Sequence, residues 1–168
     1  MIKIAITGPE SSGKTTLCES LSDYFKISYI PEYARTYLTQ TNGKYNQSDL
    51  DKICQGQLEN FQACTHSIRI CDSDFSTLEI WSYYKYGNVS ELINNSVKQD
   101  IFDLHILCSP DIPWEADTLR ENPDNRDELF ELYKQSLLLY NKHFIIVSGN
   151  HKKRLSKSLK SIVGLQEK

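Results

Sequence analysis

Lys14 and Thr15 close the stretch GPESSGKT (residues 8–15), where a glycine, four intervening residues, Gly-Lys and a hydroxyl residue follow one another. That spacing suits a phosphate cradle. Glycines let the backbone curl until successive N–H groups point inward at phosphate oxygens. The N-terminus of a following helix adds partial positive charge. Lys14 brings a full charge to the β and γ phosphates of ATP, and the Thr15 hydroxyl can ligate Mg²⁺. Gly8, Glu10, Ser11, Ser12, Gly13, Lys14, Thr15 and Thr16 are therefore the expected nucleotide contacts.

A metal held there needs a carboxylate at the end of a neighbouring strand, and CDSD (71–74) offers two. Asp72 is the first choice, because open α/β sheets bind ligands at the carboxyl ends of their strands; Asp74 serves equally well as a helix cap. Glu32, just after ISYIP, faces the same edge and can accept a proton from an attacking hydroxyl, or sit as a first-turn helix glutamate. Arg35, one turn on, can pair with Glu32 or reach an acceptor. Arg120 and Arg126 flank a proline-bounded charged segment, residues 115–126, which reads as a lid whose guanidinium groups meet a transferring phosphoryl group. Tyr33, Tyr37, Trp81, Tyr83, Tyr84, Tyr86 and Trp114 crowd the same segments, and Trp81 and Trp114 are the best candidates for a wall against a flat or cationic ring.

Those residues need a scaffold. IKIAIT (2–7) reads as a buried strand ending at the loop glycine. Leu17, Leu21, Tyr24 and Phe25 then form one apolar helical stripe within Gly13–Lys26. ISYI (27–30), SIRIC (67–71), FDLHILC (102–108) and HFIIVSG (143–149) read as four further strands. Between them the pattern predicts two helices over 32–64 broken near Asn42-Gly43, helical sequence over 76–100 interrupted at Gly87-Asn88, an amphipathic helix from Asp127 to Tyr140, and a basic terminal helix to about Val163. Short apolar strands alternating with helices imply an α/β fold with a parallel sheet covered on both faces, here five-stranded, in one domain over residues 1–168.

Composition narrows the class. A net charge of −3 over 168 residues provides no global field for nucleic acid or an anionic membrane. HKKRLSKSLK (151–160) is basic but carries no aromatic stacking platform, so it reads as a solvated helix face. No apolar run reaches the length of a membrane span or a signal peptide. Five scattered cysteines without a CxxC pair fit reduced thiols in a cytoplasmic chain. The oligomeric state leaves no mark in the sequence.

GPESSGKTTL, PEYAR (31–35), CDSD with Thr77 and Trp81 behind it, and PDIPWEADTLR (110–120) followed by Arg126 together resemble the ribosylnicotinamide kinase domain of NadR-type proteins. The resemblance implies a nucleoside-monophosphate-kinase-like core with strand order 2-3-1-4-5. It also implies transfer of the ATP γ-phosphate to the 5′-hydroxyl of nicotinamide riboside, giving nicotinamide mononucleotide. By position it makes Lys14 and Thr15 the phosphate and metal contacts, and Glu32, Asp72 and Asp74 the acidic cluster. Glu32 is then the preferred base, Asp72 the magnesium ligand, and Arg120 and Arg126 the lid cations. Tyr33, Arg35, Asp74, Trp81 and Trp114 join Glu32 around the nucleoside. NadR-type proteins commonly carry an adenylyltransferase domain first. This chain starts seven residues before the loop and shows no HxGH-type signature, so adenylylation and repression are not expected of it. Two other readings fit the loop: a P-loop kinase for another nucleoside or nucleotide, and a non-catalytic nucleotide-sensing ATPase module. Two lid arginines favour transfer over sensing.

Overall fold

In β1 (Ile2–Thr7) every residue from Ile4 to Thr7 is buried, as expected of a strand covered on both faces. The computed structural model describes residues 1–120 and 122–166. After β1 come α1 (Lys14–Phe25), α2 (Tyr33–Gln40), α3 (Gln47–Ala63), β2 (Ile68–Asp72), α4 (Phe75–Tyr86), α5 (Glu91–Gln99), β3 (Leu104–Cys108), α6 (Arg126–Leu139), β4 (Phe144–Val147) and α7 (His151–Gln166). The strands pair in parallel in the order β2-β1-β3-β4. Side chains alternate across the sheet. Ile4, Ile6, Leu104 and Ile106 pack with Leu17 and Leu21 of α1 and Ile162 of α7. On the other face Ala5 and Cys71 meet α3, α4 and α5, and Leu107 meets Leu129, Tyr133 and Leu137 of α6. No helix among the described residues is long and apolar enough to cross a membrane.

The expected five strands are four among the described residues. ISYI contributes only an isolated parallel bridge, Ile30 to Cys71, through Ile30 N–H to Ile70 O (2.7 Å) and Asp72 N–H to Ile30 O (2.8 Å). Lys26, at φ 56°, still belongs to the end of α1, with Ile27 N–H bonded back to Ser22 O. Pro31 has no N–H to continue a ladder, so only Ser28, Tyr29 and Ile30 remain between Ile27 and the proline. The bridge lies on the outer side of β2, so the four strands keep their expected relative order while the expected outermost strand does not form. The helix expectations hold, with the break near Asn42-Gly43 falling between α2 and α3. Residues 109–125 contain no helix or strand among those described.

One strand position breaks the apolar pattern. His105 of β3 is fully buried on the face that carries α4 and α5. Its Nδ1 lies 2.9 Å from Asp74 and its Nε2 2.8 Å from Asp100. Asp74 also accepts from the Thr7 hydroxyl (2.9 Å) and, as the N-cap of α4, from Thr77 N–H (3.3 Å). Burial alone would lower the His105 pKa, but the hydrogen bonds to Asp100 and Asp74 outweigh it and hold the value above the ordinary one. An imidazolium stabilised in this way supports the fold fully below its unfolded value of about 6.5, and that support is lost as pH rises through the higher folded value. We expect the free energy of urea unfolding to decline as pH rises above about 7. His105→Gln should flatten that decline, and an unchanged slope in the variant would remove His105 from the account.

Candidate active site

The loop after β1 takes conformations that its glycines permit. Gly8 sits at φ 131°, and a Cβ there would fall 2.7 Å from the Cys108 carbonyl oxygen. Gly13, the N-cap of α1, is at φ 81°, and Ser11 at φ 52°. Lys14 reaches back across the loop, its Nζ donating to the Gly8 and Pro9 carbonyls at 2.9 Å each. Thr15 Oγ1 donates to Asp72 Oδ2 at 2.7 Å. The other Asp72 oxygen, Oδ1, is buried with no hydrogen-bond partner among the described residues. Burial, followed by the charge of Glu32, pushes the Asp72 pKa up to about 6, against the opposing pull of Lys14 and Thr15. Ser73, at φ 76°, turns the chain after β2 and donates through its hydroxyl to Glu32 Oε1 at 3.1 Å. Lys14, Thr15, Asp72 and Glu32 thus meet at the carboxyl edge of the sheet, from three different segments.

Among the described residues no group of three or more His, Cys, Asp or Glu could hold a metal by itself. A magnesium ion that arrives with phosphates needs only one or two protein oxygens. The Thr15 hydroxyl and the idle, buried Asp72 oxygen are hard donors of that kind, so the residues present fit such an ion.

A cavity of about 530 Å³ opens from this edge, within the usual range for a small-molecule site. Its floor is Ser11 to Thr16; Glu32, Arg35 and Leu38 form one side, and Thr77, Trp81, Tyr84 and Lys85 of α4 the other. Thr118, Leu119, Arg120 and Asn122 cover it. The cover is tied down by Glu115 N–H to Ser11 Oγ (2.9 Å), Asn122 N–H to Glu10 (3.0 Å) and an Arg35–Asp117 ion pair (3.1 Å). At the far end the Tyr45 hydroxyl accepts from Trp81 Nε1 at 2.9 Å, with the two rings edge to face. Lys85 also donates to that hydroxyl.

Not every expected residue reaches the cavity. Tyr33 packs on Gly56 of α3, where an added Cβ would lie 2.2 Å from its ring, and its N–H donates to Gln57. Asp74 is consumed by Thr7, Thr77 and His105; burial would raise its pKa, but His105, Lys142 and Thr7 hold it below the carboxylate range. Trp114 lies against Arg120 (5.9 Å) and Arg126 (5.7 Å) instead of lining the cavity. Arg126 donates to the Ser11 and Ile112 carbonyls, both at 3.0 Å, from the outer side of the loop. Tyr45, Lys85, Tyr133 and Leu119 line the cavity without having been singled out. Thr77, Trp81 and Lys85 recur every four residues on α4, a stripe that was legible in the sequence. Tyr45, in the turn between α2 and α3, carries no periodic signal.

A strand, a glycine-bearing loop and a helix that aim backbone N–H groups, a lysine and a hydroxyl–carboxylate pair at one point define a P-loop nucleotide-binding domain. The chain belongs to the family described as AAA domain, which it matches over residues 3–154. It is 32% identical over 124 residues to the trifunctional NAD biosynthesis/regulator protein NadR of Escherichia coli (strain K12) and, equally, to that of Salmonella typhimurium. The matched region is 70% of this chain and 30% of each relative, so the chain spans under a third of those proteins. The resemblance to NadR-type proteins is thereby borne out. Its fold is similar to that of NadR in complex with NR (TM-score 0.75, 19% identity, 96% of this chain and 50% of that one). It is also similar to that of deoxyadenosine kinase from M. mycoides with bound dCTP (TM-score 0.61, 17% identity, 97% of this chain and 100% of that one).

An aspartate with a raised pKa opposes folding when ionised: the burden is absent below the unfolded value near 4 and full above about 6. Asp72→Asn should therefore stabilise the protein at pH 8 by roughly 1–3 kcal/mol. The gain should vanish below about pH 4. Urea denaturation at the two pH values checks it, and equal stability at pH 8 would contradict a desolvated carboxylate here.

Proposed function

We propose that the protein phosphorylates nicotinamide riboside at its 5′-hydroxyl with ATP, giving nicotinamide mononucleotide and ADP. The observation that carries this reading is the continuity of the cavity: one space joins Lys14 and Thr15 to Glu32 and to the aromatic wall of Trp81. The triphosphate lies on the loop N–H groups and Lys14, which leaves its own carbonyl partners for the β and γ oxygens. Thr15 and Asp72 hold Mg²⁺, which when bound neutralises phosphate charge. Glu32, fixed by the Ser73 hydroxyl, takes the proton of the 5′-hydroxyl as its oxygen forms the new bond to γ-phosphorus and the bridging bond to the β-phosphate breaks. Arg120, in the lid above, meets the equatorial oxygens of the transferring group, whose loose transition state needs charge neutralisation more than covalent help. A pyridinium ring suits an aromatic face such as that of Trp81. NadR in complex with NR, whose fold this chain shares over 96% of its length, supports the choice of acceptor.

A second reading has its own observation. Lys85 places a cation against the Tyr45 hydroxyl at the ring end of the cavity, which suits a neutral base better than a pyridinium. Similarity to a deoxyadenosine kinase over that whole chain points the same way. ADP release measured against a panel of ribosides and deoxyribosides separates the two. Turnover of nicotinamide riboside at least about tenfold above any purine or pyrimidine nucleoside is expected; turnover of deoxyadenosine alone would overturn the substrate. Lys14→Ala should abolish transfer. Glu32→Gln should lower kcat by about 10²–10⁴-fold with ATP binding intact, and near-normal turnover in that variant would remove Glu32 as the base.

A further inference from the structure

Arg154 of α7 is 4% exposed, in a helix whose other basic residues face outward. A guanidinium buried that deeply has to spend its donors on fixed partners. Its Nη1 donates to the Ser12 carbonyl at 2.7 Å, its Nε to the Gly149 carbonyl at 2.8 Å and its Nη2 to the Ser109 carbonyl at 3.0 Å. Asp111 supplies the counter-charge on Nη2 and also accepts from Gly149 N–H at 2.6 Å. The three carbonyls belong to the three loops that follow β1, β3 and β4, all at the carboxyl edge of the sheet. A Cβ added at Gly13 would lie 3.7 Å from Nη1, so the guanidinium sits directly behind the turn into α1.

A phosphate cradle works only if its N–H groups face inward, which obliges the intervening carbonyls to face outward, where each needs a donor. Arg126 serves the Ser11 carbonyl and Arg154 the Ser12 carbonyl. We propose that Arg154 is a positioning residue for nucleotide binding: by holding the Ser12 carbonyl outward and tying it to the two neighbouring loops, it keeps the cradle's N–H groups aimed at the phosphates. Lysine cannot replace it, because a single ammonium does not present a planar fork to three carbonyls on different loops.

The test reads binding without any acceptor, so it stands apart from the choice of nucleoside and from transfer itself. Calorimetric titration of the folded full chain with Mg·ATP and, separately, with inorganic tripolyphosphate should show Arg154→Lys binding both at least about tenfold more weakly. The KM of an accepted riboside should stay within about twofold of wild type, since the acceptor side is untouched. Wild-type affinity for both anions in Arg154→Lys would overturn the proposal. So would weakening confined to ATP, which would place the effect at the base and not at the cradle. Should Arg154→Lys fail to fold, Asp111→Asn keeps the side-chain shape while removing the charge that orients the guanidinium. It should weaken tripolyphosphate by about threefold or more, and unchanged affinity there would overturn the proposal equally.

Discussion

A hydrogen bond of 2.7 Å joins Thr15, at the start of α1, to Asp72, at the last position of β2. It brings a carboxylate with one oxygen committed and one idle into a buried place beside Glu32, a second acid. Two neighbouring acids in a medium of low polarity repel, and the structure answers the repulsion only in part. Lys14 lowers the burden on Asp72, yet its ammonium is spent on the carbonyls of its own loop. An edge built this way is short of positive charge until a cation joins it, and it offers hard oxygens to receive one. The remaining architecture serves that edge: β1 and β2 deliver its two halves in register, Ile6 opposite Asp72, and the helices keep water from the strands behind it.

Two buried charge clusters flank the edge and fix its parts relative to one another. On one side Asp74, His105 and Asp100 link the end of β1, through Thr7, to the cap of α4 and to β3. Because α4 carries Thr77, Trp81 and Lys85, that linkage sets the distance between the phosphate loop and the far wall of the cavity. On the other side Arg154 and Asp111 bind the loops after β1, β3 and β4. Breaking a buried pair of this kind by removing one partner costs about 3–5 kcal/mol, because the survivor keeps its desolvation without its compensation. Rigidity on both flanks and a tied but irregular cover above them suit a site that must admit a ligand and then shut out water.

The layered fold was readable from the sequence because it rests on local signals: short apolar runs, helical stripes, and glycines and prolines that punctuate them. ISYI misled because four apolar-rich residues say nothing about how many of them the preceding helix cap and the following proline will absorb. The phosphate loop was readable because its residue spacing is fixed, and the place of Asp72 because it closes an apolar strand run. Tyr33 and Trp114 were assigned to the cavity on ring chemistry, yet an aromatic ring is used as readily against a glycine or an arginine. Tyr45 carries no signal of its own, and Arg154, expected on the solvated face of the basic helix, is buried instead, both for a different reason. Each acts through partners more than thirty residues away, Trp81 for the first and Ser12, Ser109 and Asp111 for the second, and no window along the chain contains both ends.

Asp72 and Asp74 show how structure separates an available carboxylate from a committed one when sequence cannot. They stand two residues apart, both buried, at the end of the same strand. Asp74 has both oxygens occupied, one by Thr7 and the backbone of α4 and the other by His105, and its charge is held in place by those bonds. A saturated carboxylate has nothing left to offer a ligand, and its value lies in the geometry it enforces. Asp72 keeps one oxygen without a partner among the described residues and has its pKa pushed up by burial and by Glu32, an arrangement that opposes folding and that packing alone would not retain. Unspent hydrogen-bonding capacity in a buried acid beside a phosphate cradle is what a ligand-binding role requires. The contrast between the two aspartates therefore argues more strongly for the chemistry of this edge than the position of either one.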